Sequence, residues 1–148
     1  MIDTSGPALA AALKVGLFII KPNLRELRGL TGEALEDEPS WIAACSKLVA
    51  SGQVEIVSLT LGHRGALLVS RDTVLRAPAL CIRPASTVGA GDSFLGALVW
   101  AVASGRDLKE AFRYGIAAGS AALLAPGIQP GPREDIERLH SEVLVHTL

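Results

Sequence analysis

The sequence is poor in aromatic residues, with three Phe, two Trp and one Tyr among 148. It also lacks an excess of positive charge: 14 Lys and Arg face 15 Asp and Glu, for a net charge of −1. A nucleic-acid surface needs clustered cations and stacking rings, so no nucleic-acid partner is expected. Cysteine is scarce too. Cys45 and Cys81 stand 36 positions apart, in no CxxC and at no zinc spacing. They read as free core thiols in a reducing cytoplasm. His63, His140 and His146 share no metal-ligand spacing and read as surface residues. The strongly apolar helix Phe94–Ala103 has ten residues, short of the roughly 18 that a bilayer span takes, so no membrane partner is expected. No basic segment leads into an apolar one as in a signal peptide. No GxxxxGK[ST] occurs, which sets aside a Walker-type phosphotransferase. Internal repeats and low-complexity tracts are absent.

What is present is apolar and alternating. Hydrophobic residues make up 49%, which excludes disorder and favours a buried sheet covered by helices. Met1-Ile2 reads as the end of a strand and residues 3–7 as a turn into a helix over Ala8–Leu13. Val15–Ile20 reads as a buried parallel strand, ended by Lys21-Pro22-Asn23, with Asn23 capping a helix through Arg28. Glu33–Glu38 reads as a solvated acidic loop. A helix over Trp41–Ala50 follows, opened by Pro39-Ser40 and closed by Gly52. Val54–Leu61 is expected to be a strand, residues 62–65 a turn, and Ala66–Ser70 with Thr73–Ala77 a hairpin around Arg71-Asp72. Residues 78–85 read as an irregular connector, and three helices are expected over about 90–104, 107–125 and 132–144. In the second of these, Leu108, Phe112, Gly115, Gly119 and Ala122 recur at helical spacing. Glycines on one face mark either tight helix–sheet packing or the approach of a ligand. The pattern as a whole predicts an α/β fold, with ligands at the carboxyl ends of the strands. Lys21–Asn23, Thr60–Gly62 and Ser86–Asp92 each lie just beyond such an end.

Ser86–Gly96, Ser-Thr-Val-Gly-Ala-Gly-Asp-Ser-Phe-Leu-Gly, is the most informative segment. A turn with two glycines can aim backbone amides at an anion, and the helix that follows adds the positive end of its dipole. Asp92 would repel phosphate there. It makes sense as a base that takes a proton from a hydroxyl while the amides hold the phosphoryl group under attack. That chemistry is a kinase acting on a small alcohol. The plainer alternative is a tight turn with an Asp near a helix N-cap.

With Asp-Thr-Ser-Gly at 3–6, Lys-Pro-Asn-Leu-Arg-Glu at 21–26, Leu-Gly-His-Arg-Gly-Ala at 61–66 and Ser-Thr-Val-Gly-Ala-Gly-Asp-Ser-Phe at 86–94, the chain resembles the PfkB (ribokinase-like) family of carbohydrate kinases along nearly its whole length. The first two segments look most like the phosphofructokinase B and 1-phosphofructokinase branch. The resemblance implies a three-layer ribokinase-like fold, mainly parallel sheet flanked by helices, and a cytoplasmic enzyme using ATP and Mg2+. Asp92 would be the base, and Gly89, Ala90 and Gly91 the anion hole. Asn23 and Glu26 would order magnesium, which needs few protein ligands because it keeps several waters. On residues alone, the same pair reads as a capping box. Lys21 would reach the nucleotide phosphates, Thr60, Gly62 and Gly65 would contact ATP, and Ser120 would lie beside adenine. A K+ site would involve Ser86, Val88, Ala122, Ala125 and Gly127, largely through backbone carbonyls.

Family members carry a further half upstream, with the early strands, a β lid and most sugar-binding residues. Residues 1–148 are therefore expected to be a single partial domain, the C-terminal half, with N-terminal half and lid missing. The implied acceptor is a sugar or sugar phosphate such as fructose 6-phosphate. An exposed sheet edge and self-association through it are expected. The competing expectation is a non-catalytic nucleotide-binding fragment or assembly module lacking the sugar site.

Overall fold

The computed structural model describes residues 6–127 and 129–148, so the readings of Met1-Ile2 and of residues 3–5 lie outside the described residues. The chain forms two compact units, one of residues up to Arg76 together with 146–148, the other of residues 77–145.

The first unit contains α1 (Gly6–Leu13), β1 (Leu17–Ile20), α2 (Leu24–Thr31), α3 (Glu38–Ala50), β2 (Val54–Thr60), a 3-10 turn over Gly62–Arg64, β3 (Ala66–Val69), β4 (Val74–Ala77) and β5 (His146–Thr147). The sheet follows the order β1-β2-β3-β4-β5. β1 and β2 run parallel with Ile19 opposite Ile56, and β2 and β3 run antiparallel with Leu59 opposite Leu67. The sheet is thus mixed. A crossover through α2 and α3 permits parallel pairing of β1 with β2, whereas the short connections after β2 force the chain to reverse. β2 and β3 are buried almost throughout, and Leu27, Leu35, Trp41, Cys45, Val57, Leu59 and Leu67 share one apolar core.

Several expectations are corrected in this unit. Val15 is 83% exposed rather than part of a strand. Gly16, at φ 79, ends the first helix in a turn before β1 begins at Leu17. Phe18 is 45% exposed, whereas Ile19 and Ile20, on opposite faces of β1, are fully buried, so the cover over β1 is complete only towards its carboxyl end. The acidic stretch 33–38 is not simply solvated. Leu35 is buried in the core at a left-handed φ of 49, and its carbonyl accepts hydrogen bonds from Arg28 Nη2 at 2.9 Å and Trp41 Nε1 at 2.8 Å. Counting acids conceals the single leucine that anchors the loop. The pairing of His146-Thr147 with β4 was not expected at all. Two residues carry no strand signal of their own and are recruited by the open edge at Leu75 and Arg76.

The second unit holds α4 (Ala90–Ala103), α5 (Leu108–Leu124) and α6 (Arg133–Glu142). α5 is the central element, with nine buried residues including Phe112, Ile116 and Ala121. The glycine face of α5 packs on a helix, not on a sheet. A Cβ added at Gly115 would lie 3.2 Å from the Phe94 carbonyl oxygen, and one at Gly119 would lie 3.1 Å from that of Ala90. Gly131, before α6, is tighter still: a Cβ there would come within 2.3 Å of the Ala121 Cβ.

Cys45 is a core thiol, with its pKa pushed up to about 12 by burial, but Cys81 is exposed, correcting the reading of two core thiols. His140 is likewise not a plain surface residue. Its ring stacks on Tyr114 with centroids 4.2 Å apart, and Arg113 Nη2 donates to its backbone carbonyl at 2.9 Å. Nε2 lies 2.9 Å from Glu110 Oε1, a contact that favours the protonated ring.

Burial holds the His140 pKa below its ordinary 6.5, with Arg113 and Arg106 acting the same way and Glu110 opposing them. The folded chain therefore prefers the neutral ring, while the unfolded chain takes up a proton near pH 6.5. The stabilisation is complete above that pH and is lost as pH falls below it. The melting temperature should fall between about pH 7 and about pH 5, and fall less in His140→Phe, which keeps the stack but not the titration. Equal pH slopes in the two proteins would count against this coupling.

Candidate active site

In the first unit, the end of β1 and the end of β2 are tied together. Thr60 N–H donates to the Pro22 carbonyl at 3.0 Å, the Thr60 hydroxyl reaches the same oxygen at 3.4 Å, and Asn23 and Thr60 form an isolated parallel bridge. Parallel register carries this pairing one step past the strands, which brings Lys21, Asn23 and Thr60 onto one rim. Asn23 Oδ1 accepts from Glu26 N–H at 2.9 Å, and Glu26 Oε2 accepts from Asn23 N–H at 2.8 Å. The capping-box reading of this pair is therefore realised. Glu26 keeps its second oxygen and Asn23 its side-chain NH2 beyond these two bonds. With Gly6, Arg25 and Gly29, the pair lines an open depression. Arg25 was not singled out in the sequence, although it stands inside the Lys-Pro-Asn-Leu-Arg-Glu segment.

Among the described residues no three His, Cys, Asp or Glu side chains gather as a metal cage. Beyond β2, Gly62 and Gly65 shape the turn into β3 with φ values of 60 and 91. Both positions favour glycine and leave the backbone open to close approach.

In the second unit, Gly89 is the N-cap of α4 in the left-handed conformation, at φ 82 and ψ −8, and no side chain caps the helix. The first amides of any helix have no partner within it. Those of α4 therefore lie open beside two small residues, Ala90 and Gly91, and an exposed Asp92 in the first turn. Contact with Gly119 of α5 holds the Ala90 carbonyl, so the helix start is fixed from behind. Ser120 follows on α5 and is half-buried. At the other end of α5, the Leu123 carbonyl accepts from Ala85 N–H at 2.7 Å and Ser86 N–H at 3.2 Å. These bonds hold Ser86 at Leu123, which lies between Ala122 and Ala125 in the chain. α5 has no basic residue in its last turn, where the negative end of its dipole lies.

An α/β fold with glycine turns at its strand ends, and a helix start open to anions beside an acid, defines a phosphate-handling class of protein. The comparisons make this specific. The sequence matches the pfkB family of carbohydrate kinases over residues 1–135, and the chain belongs to that family. It is 38% identical over 138 residues to the ATP-dependent 6-phosphofructokinase isozyme 2 of Mycobacterium tuberculosis, covering 93% of this chain and 40% of that protein. It is 36% identical over 125 residues to the 1-phosphofructokinase of Borreliella burgdorferi, covering 84% and 40%. Phosphofructokinase-2 from Escherichia coli, in a crystal structure with potassium, superposes at a TM-score of 0.90 with 36% identity, over 95% of this chain and 46% of that one. The fold is therefore ribokinase-like. The chain spans less than half the length of these relatives.

The capping box yields a stability prediction. Asn23→Ala should cost about 1 kcal/mol, while Asn23→Ser, which keeps an N-cap acceptor, should cost little. Chemical denaturation of the three proteins measures this, and equal midpoints for Asn23→Ala and wild type would show the cap to be dispensable.

Proposed function

We propose that this chain carries the nucleotide and catalytic-base part of an ATP-dependent kinase that phosphorylates a hydroxyl of a sugar or sugar phosphate resembling fructose 6-phosphate. Residues 1–148 are read as one partial domain of that enzyme. The observation that carries the reading is the start of α4: uncapped amides behind a left-handed Gly89, with Asp92 exposed in the same turn. A plain structural turn gains most from an N-cap side chain, and this one has none.

In this reading the Asp92 carboxylate takes the proton of the acceptor hydroxyl. The freed oxygen bonds to the γ-phosphorus of ATP, the bond from that phosphorus to the β–γ bridging oxygen breaks, and ADP leaves. The amides of Gly89, Ala90 and Gly91 receive the transferring phosphoryl oxygens, where fixed dipoles stabilise developing charge without reorganisation. Lys21 pairs with nucleotide phosphates, and Thr60, Gly62, Gly65 and Ser120 contact the nucleotide. Asn23 and Glu26 would hold Mg2+ through its waters, and the ion would supply neutralisation of phosphate charge. Backbone carbonyls around Ser86, Val88, Ala122, Ala125 and Gly127 would hold K+.

Acceptor contacts are assigned to the upstream part that the longer relatives suggest. β1 stands at one end of the described sheet order. Its outer edge, which pairs with no strand among the described residues, and the exposed Phe18 suit pairing with that part or with a second copy. The unpaired Cys45 and Cys81 fit a reducing, cytoplasmic setting.

The test is ADP formation with Mg-ATP and fructose 6-phosphate. Asp92→Asn should lower turnover by about 10²- to 10⁴-fold, the usual worth of a general base, and leave ATP affinity within about twofold, a small fraction of a binding energy. Turnover that survives the substitution would remove Asp92 from the chemistry. ATP binding without turnover in either protein would favour a nucleotide-binding module.

A further inference from the structure

The turn from Leu61 to Ala66 is a problem in chain stiffness. It contains two glycines and is closed by only a few internal bonds: Leu61 N–H to the Gly65 carbonyl at 2.8 Å, Gly65 N–H to that of Gly62 at 3.0 Å, and Arg64 N–H to that of Leu61 at 3.2 Å. A glycine turn loses much conformational entropy when held in one shape. Something outside the turn must hold it.

Arg76, on β4, does so. Its Nη2 donates to the Arg64 carbonyl at 2.7 Å, its Nη1 to the Ala66 carbonyl at 3.4 Å, and its Nε to Glu38 Oε2 at 2.9 Å. The side chain is only 18% exposed. One rigid guanidinium thus spans a carbonyl inside the turn, a carbonyl at the start of β3 and a carboxylate in the first turn of α3. A second tie runs the same way. The Arg64 guanidinium lies 4.5 Å from the centroid of the Trp41 ring, also on α3.

We propose that Arg76 is a positioning residue for nucleotide: it fixes the backbone of Gly62–Gly65 in the shape that meets ATP. The proposal rests on the reading of that turn as a nucleotide contact. Arg76 touches the turn and not the ligand, so its effect passes through the backbone of residues 62–65. A lysine cannot replace it, because a point charge lacks the fork that holds two carbonyls at once. Glu38 meets the Nε edge of the fork, separate from the two nitrogens that hold the carbonyls. Glu38→Gln removes a charge from that edge and leaves both carbonyl bonds in place.

The experiment uses the full chain and a non-hydrolysable ATP analogue with Mg2+, in wild type, Arg76→Ala, Arg76→Lys and Glu38→Gln. It reads affinity by calorimetry and amide hydrogen exchange of the turn. Arg76→Ala and Arg76→Lys should each weaken binding by about tenfold, the scale of one charge-assisted hydrogen bond, with faster exchange at residues 62–65 and little change in β2 and β3. Glu38→Gln should stay within about twofold of wild type, since the carbonyl bonds persist. Unchanged affinity in Arg76→Ala overturns the proposal while leaving the nucleotide reading standing. Equal losses in Arg76→Ala and Glu38→Gln also overturn it, because they mark general destabilisation. A wild-type chain that binds no analogue, with turn exchange still faster in Arg76→Ala, overturns the nucleotide reading and with it the nucleotide role of Arg76.

Discussion

The second unit depends on how closely α4 and α5 approach. A Cβ at Gly115 or Gly119 would stand 3.2 or 3.1 Å from a carbonyl oxygen of α4, tighter than ordinary contact, so the bare backbone lets the two helices approach without either giving way. Each glycine inside a helix costs roughly 1 kcal/mol against alanine. The return is positional. The Ala90 carbonyl is the first of α4, so its contact with Gly119 sets where the helix begins and where its open amides point. Phe94, edge-on to Phe112 at 6.2 Å, completes the packing one turn further on. Backbone amides cannot be adjusted by rotamers, so their placement has to come from such rigid contacts behind them.

In the first unit the same economy appears in Asn23 and Glu26. Their side chains satisfy two of the orphan amides at the start of α2, and the same groups are those the family resemblance assigns to magnesium. The two roles are compatible because a carboxylate has two oxygens and magnesium brings most of its own ligands. The cap also orders the side chains in advance, which spares a metal site the entropy of collecting them.

Much of this was legible in the sequence, for identifiable reasons. β2, β3 and β4 are apolar, β-branched or both, and were read to within a residue or two. The helices α3, α4 and α5 carried periodicity and end signals of their own. The candidate site residues stand in contiguous motifs, each placed on one turn, which is why the sequence alone suffices to nominate them. What was missed depended on which groups meet in the folded chain, which no local pattern states. Leu35 anchors an acidic loop because Arg28 and Trp41 reach its carbonyl. His140 leaves the surface because Tyr114, a full helix away, stacks on it. Val15 and Phe18 were overcounted as buried because an apolar run does not reveal which of its faces is covered.

By itself the sequence determined the family, the order of the elements up to α6, and the glycine- and proline-marked turns, since local backbone conformation follows from glycine, proline and capping residues within a few positions. Tertiary structure alone decided that the glycine face of α5 meets a helix, that β1 is the outermost of the described strands, that His146 joins β4, and that Arg76 braces the turn after β2. Those outcomes are choices of partner. A side chain's pattern states that it will be buried or bonded, but which neighbour supplies the contact is settled only when the whole chain competes for the same space.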